Sequence, residues 1–191
     1  KYGEFIYARA RDGLYVNLFI ASELAVPELG LKLWQDTTFP DEPRTRFKLQ
    51  LTRPSTFTLR IRHPGWVATG EFAVRVNGKP ISVNSTPATY AALQREWHDG
   101  DLVEIDVPMR TTFERLPDGS DWVAFLRGPI VLASPVGTND LVGLRADGSR
   151  MGHSARGPMV PLDRVPVLLA TVAELRGHVR PDPDRQPLHF R

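Results

Sequence analysis

Apolar and polar side chains alternate at every second position over much of this chain, and that period marks strands with one buried face. Phe47, Leu49 and Leu51 alternate with Arg46, Lys48 and Gln50. Phe57, Leu59 and Ile61 alternate with Thr58, Arg60 and Arg62. Phe72, Val74 and Val76 stand against Ala73 and Arg75, and Val103, Ile105 and Val107 against Glu104 and Asp106. Asp12-Gly13, Asn77-Gly78, Asp99-Gly100 and Asp118-Gly119 each supply a residue pair that accepts the positive φ of a tight turn. Closely spaced strands of this kind predict an all-β chain, with an antiparallel β-sandwich over residues 1–112. A smaller second β-rich region, incomplete within this chain, is expected over residues 113–191.

Some segments break the alternation. In residues 14–20, Leu14, Val16, Leu18 and Ile20 share one face, Tyr15 and Phe19 the other, and only Asn17 is polar. Residues 122–126 and 129–133 are almost continuously apolar. A strand apolar on both faces is covered on both. Either a surface outside the sandwich covers Tyr15 and Phe19, or the strand is wholly internal. Pro129, after Arg127-Gly128, marks a bend or bulge. Helix is expected only as one turn at residues 22–24 and a turn and a half at 171–176, the latter broken by Gly177. Residues 134–166, rich in Gly, Pro, Ser and Asp, read as a long loop, and loops of that length are usually functional or interfacial. A further strand is expected over 166–171, an extended linker over 179–184, and the start of a strand at 188–191.

Composition narrows the chemistry. With 41% hydrophobic and 24% charged residues the chain can build a packed core. No apolar run approaches the roughly 18–20 residues of a membrane span, so a soluble chain with no membrane partner is expected. It opens on Lys1 without a basic-apolar-small leader, so any signal peptide is expected to be absent or already removed. The absence of cysteine excludes disulfides, thiolate nucleophiles and cysteine-ligated zinc on this chain. Net charge is only +2, and the pI of about 9.2 reflects arginine heavily outnumbering lysine. The arginines are scattered along strands rather than gathered in a stripe, so nucleic acid is not an expected partner.

Candidate catalytic groups are few. None of the histidines, His63, His98, His153, His178 and His189, has a second histidine at zinc-ligand spacing, and His63 and His98 read as turn or surface residues. Asp99 with Asp101, and Asp118 with Asp121, have the composition of glycosidase carboxylate pairs. Both lie in glycine-containing turns, where Asp caps its own backbone. There is no G-x-S-x-G elbow, no phosphate loop and no calcium loop at residues 140–149. No catalytic, cofactor-binding or metal residue is therefore assigned. Trp66, Trp97 and Trp122 read as core. Trp34 shares its face with Lys32 and Asp36 rather than with Leu31 and Leu33, so it points outward, as an edge residue covered by a local loop or toward a sugar or another domain.

Several segments in order resemble a known family. They are residues 13–20 (GLYVNLFI) followed by Ser22-Glu23-Leu24, then 35–40 (QDTTFP), 59–66 (LRIRHPGW), 76–78 (VNG), 95–101 (REWHDGD), 107–109 (VPM) and 123–133 (VAFLRGPIVLA). Together, over residues 1–165, they resemble the C-terminal half of glycoside hydrolase family 127, the β-L-arabinofuranosidase family. His63 departs from the aliphatic residue usual at that point. The resemblance implies an N-terminal (α/α)6 barrel preceding β-sandwich domains, with the nucleophilic cysteine, the zinc and its cysteine and glutamate ligands and the acid/base glutamate all in or at the end of the barrel. No position here matches those residues, so no cofactor is expected on this chain; zinc is implied only for the barrel. The implied role is non-catalytic: a β-sandwich inactive alone, docked through Tyr15 and Phe19 on the catalytic barrel of the same polypeptide. The alternative is a carbohydrate-binding module using Trp34 on arabinose-containing glycans. The resemblance further implies a cytoplasmic or periplasmic location, and self-association through an uncovered docking face would give a homo-oligomer.

Overall fold

The computed structural model describes residues 2–134, 167–171, 174–185 and 187–191. Two sheets face each other across one core. The smaller has the order β1-β2-β6-β9, built from β1 (Tyr7–Ala10), β2 (Gly13–Val16), β6 (Ser55–His63) and β9 (Thr89–Trp97). The larger has the order β3-β4-β5-β10-β7-β8, built from β3 (Ser22–Val26), β4 (Leu31–Thr37), β5 (Arg44–Leu51), β10 (Leu102–Asp106), β7 (Ala73–Val76) and β8 (Lys79–Ile81). Neighbours are antiparallel except β2 and β6, which run parallel. The all-β expectation holds.

The alternating residues do what their period requires. Leu14, Val16, Leu59 and Ile61 of the smaller sheet are buried with Leu33, Phe47, Leu49 and Ile105 of the larger. Each such side chain is worth about 1.5–3 kcal/mol when fully buried. Trp97 closes one end of this core, with its indole N–H donated to the Phe57 carbonyl at 3.1 Å. At the parallel pair, Gly13 lies opposite Thr58, where an added Cβ would fall 2.0 Å from the Thr58 carbonyl oxygen. Only glycine lets β2 approach β6 so closely. Asn77 and Gly78, with φ of 50° and 75°, turn the β7–β8 hairpin as the Asn-Gly pair predicts.

Beyond the sandwich, β11 (Thr111–Arg115), β12 (Val123–Arg127) and β13 (Ile130–Val131) form a separate antiparallel sheet, with Phe113 opposite Phe125. Gly128 and Pro129 occupy the turn between β12 and β13. A one-turn helix, α1 (Leu175–His178), packs near β11 and buries Leu175.

Several expectations need correction. Residues 22–24 are strand, because Ser22 to Val26 pair in register with Leu31 to Gln35. Residues 14–20 are not one strand: the chain leaves the sheet after Val16, where the Asn17 amide donates to the Ile6 carbonyl. Phe19 therefore turns inward and is only 6% exposed, so it is no outer-face residue. Helix α1 begins at Leu175 and contains Gly177, while Glu174 accepts hydrogen bonds from the Thr171 amide and hydroxyl ahead of it. Residues 167–171 are not strand. The linker expected at 179–184 is one leg of a tail hairpin, in which Arg180 and Arg191 exchange backbone hydrogen bonds of 2.8 Å. Trp122 is 46% exposed rather than core. His63 is buried, not at the surface. The long loop expected at 134–166 lies almost wholly outside the described residues, as do His153 and residues 140–149.

Candidate functional site: the outer faces of the sandwich

The carboxylate pairs are turn caps. Asp101 is buried, and its carboxylate accepts from the His98 amide at 2.9 Å and from the Asn77 side-chain amide at 2.7 Å. Asp99 accepts from the Leu51 amide at 2.9 Å. Asp118 accepts from the Ser120 amide at 2.9 Å, and that bond holds its carboxyl below the usual range. Asp121 stands fully exposed, 3.8 Å from Arg115. Neither pair faces the other across a cleft. His63 is anchored at both ring nitrogens, Nδ1 to the Ser85 hydroxyl at 2.9 Å and Nε2 to the Val67 carbonyl at 3.1 Å, and it stacks on Phe72. It pins the 64–67 segment and has no nitrogen free for a ligand. Among the described residues no three His, Asp or Glu side chains converge on a metal position.

The outer face of the larger sheet is a charge lattice. Arg46 pairs with Glu104 at 3.1 Å, and Asp106 sits between Arg44 and Arg75 at 2.7 Å each. Burial opposes the charge on Asp106, but the two guanidiniums outweigh it and hold its carboxyl below the usual range. Trp34 lies in this face, half-buried, and donates its indole N–H to Glu23 at 3.1 Å. Its cross-strand neighbours are Glu23 and Lys48. It points outward as its register predicts, a single ring among charged groups.

The outer face of the smaller sheet has a different chemistry. Register places Ala8, Tyr15, Arg60 and Ala92 in one row across all four strands. Tyr15 meets Tyr90 edge-on at 4.9 Å between ring centroids, and the Arg60 guanidinium lies 5.1 Å from the Tyr15 ring centre. Arg60 is itself held by both carboxylate oxygens of Asp12, at 3.1 and 2.6 Å. The Tyr90 hydroxyl donates to Asn17 at 2.8 Å. Arg62 flanks the cluster, exposed. Two half-exposed tyrosines thus stand between exposed alanines. Of the aromatic residues singled out in the sequence, Tyr15 is on this face, Trp34 on the opposite face of the sandwich, and Phe19 in the core between them. The structure brings none of the three together. Tyr90 and Arg60 were missed, although Tyr90 falls on the outward register of a strand whose inward residues are Ala91 and Leu93.

Comparison with known families follows the same division of the chain. A family model described as "Beta-L-arabinofuranosidase, GH127 middle domain" matches residues 13–109, slightly more than half of the chain. The chain belongs to glycoside hydrolase family 127. A second model, of a domain of unknown function, matches residues 112–191. Among solved structures, a glycoside hydrolase is 32% identical over 66% of this chain and 22% of its own, with a TM-score of 0.60. A GH127 β-L-arabinofuranosidase from Geobacillus stearothermophilus is 28% identical over 68% of this chain and 21% of its own, with a TM-score of 0.60. A GH127 β-arabinofuranosidase is 28% identical over 66% of this chain and 23% of its own, with a TM-score of 0.57. This family 127 chain therefore spans about a fifth of the length of the solved structures it matches. A search of curated proteins found no match.

Proposed function

We propose that this chain is a non-catalytic β-sandwich of a family 127 hydrolase acting on β-L-arabinofuranosides, and that it supports a catalytic barrel by packing the outer face of its smaller sheet against it. The observation that carries the reading is the contrast between the two outer faces. The larger sheet presents interlocked ion pairs, a solvated surface. The smaller presents Tyr15, Tyr90, Arg60 and Arg62 between Ala8 and Ala92. Tyrosine and arginine are enriched among the residues that carry most of the binding energy of protein interfaces. An interdomain contact of about 600–1,500 Å² would cover such a face. Phe19 has no part in it; Tyr15 acts with Tyr90.

Sedimentation velocity of this chain, alone and mixed with a separately expressed family 127 barrel, tests the reading. A complex that Tyr15→Asp abolishes is expected. Persistence of the complex in that variant, or no complex at all, would contradict it. The chain alone is expected to show no turnover of an aryl β-L-arabinofuranoside. A second reading rests on Trp34: its ring is held in place by Glu23 on a polar sheet face, a geometry suited to stacking on one sugar ring of an arabinose-containing glycan. Calorimetry with arabinose oligosaccharides, and its loss in Trp34→Ala, would favour that module.

A further inference from the structure

We propose that the depression between the sandwich and the tail hairpin binds a single neutral sugar unit. This site is separate from the docking face and does not depend on it. The depression has a volume of about 200 Å³ and lies where the turn after β4, the end of β12 and the tail residues 181–185 and 187–190 meet. That is smaller than the roughly 300–1,000 Å³ of ordinary small-molecule sites and suits one ring rather than an oligosaccharide.

The lining combines apolar and polar side chains. Met109, Leu188 and Phe190 supply apolar surface, with the Met109 side chain buried. Asp41 and Arg127 bring a carboxylate and a guanidinium. Among the described residues neither makes a side-chain hydrogen bond or ion pair, although Arg127 is half-buried. Asp182 lies 3.7 Å from Arg185. Beside His189 the lining holds two acids and two arginines, so with a neutral imidazole it carries no excess charge of either sign to favour a charged ligand. An unpaired acceptor and an unpaired fork of donors beside Met109, Leu188 and Phe190 suit a sugar's hydroxyls and its C–H face. Leu188 adds a second sign: it holds φ at 68°, a left-handed conformation rare for a bulky residue, and such strain gathers at ligand sites.

The probe is L-arabinose, titrated into the 15N-labelled full chain, with D-glucuronate as the charged comparison. Progressive, saturating shifts of the Met109 and Phe190 amides are expected with arabinose. Asp41→Asn and Arg127→Leu should each weaken that binding about tenfold, the loss of one charge-assisted hydrogen bond. The Trp97 indole resonance reports on the fold. If Arg127→Leu disturbs it, Asp41→Asn, at an exposed turn, carries the test. The proposal is overturned if arabinose leaves Met109 and Phe190 unmoved, if the folded variants bind as the parent does, or if glucuronate binds more tightly than arabinose.

Discussion

Replacing Gly13 by alanine should damage this fold more than its one added methyl suggests. The new Cβ would lie 2.0 Å from the Thr58 carbonyl oxygen, 2.8 Å from the Thr58 carbonyl carbon and 2.8 Å from its nitrogen. These are backbone atoms of the paired strand, so no rotamer change relieves the contact. Strands β2 and β6 must separate. Overpacking of this kind costs about 1–3 kcal/mol. Separation also strains the 2.9 Å bond from the Thr58 amide to the Asp12 carbonyl, and with it the neighbouring pairing, at about 0.5–1.5 kcal/mol per bond. With two such bonds weakened, the expected total is about 2–6 kcal/mol. At about 2–4 °C per kcal/mol for a chain of this size, the melting temperature should fall by ~4–24 °C. Gly70→Ala is the control. Nothing lies within 4 Å of a Cβ there, and only its φ of 83° is unfavourable, which costs about 1–2 kcal/mol. Thermal unfolding followed by circular dichroism compares the two. If Gly13→Ala melts no lower than Gly70→Ala, the close parallel approach of β2 and β6 is not what glycine serves at position 13.

Other outcomes follow from the same geometry. Trp97→Phe keeps an aromatic ring but removes the indole N–H donated to the Phe57 carbonyl and shrinks a fully buried side chain, so a loss of about 1–3 kcal/mol is expected in urea unfolding. The Asp106 carboxyl is held low in the folded chain, so its contribution is fully present above the ordinary carboxylate range near pH 4 and disappears as pH falls through the depressed folded value. Asp106→Asn should accordingly flatten the acid limb of a stability–pH profile, and an unchanged acid limb would count against the paired-arginine account. Asp121→Asn should alter neither stability beyond about 0.5 kcal/mol nor any glycosidase activity, since its carboxylate is exposed and faces only Arg115.

Much of this architecture was legible because period-two alternation reports directly on which side of a sheet each residue faces. Phe47, Leu49, Leu59, Ile61, Val103 and Ile105 were read from it and are buried. Trp34 was read outward by the same rule. His63 sits at the same inward register as Phe57, Leu59 and Ile61, yet a titratable ring before a proline reads as a strand end. Only its tertiary partners Ser85 and Val67 make burial possible. Phe19 was misplaced because an apolar run does not reveal where a strand stops; the Asn17 hydrogen bonds to Ile6 and Phe5 end it. The parallel β2–β6 pairing joins segments more than forty residues apart, and no local pattern encodes it. On the candidate face, Tyr15 was visible as an odd apolar residue. Its partners Tyr90 and Arg60 come from strands brought beside it only by the folded order β2-β6-β9.

Hydrogen exchange measured by mass spectrometry tests the central claim most directly. The chain alone is compared with the chain mixed with a family 127 catalytic barrel. Added protection is expected in β2, β6 and β9, around Tyr15, Arg60 and Tyr90, with no change in β5 and β10, whose outer face carries the ion pairs. Protection confined to β4, β5 and β10, or none on either sheet, would contradict it.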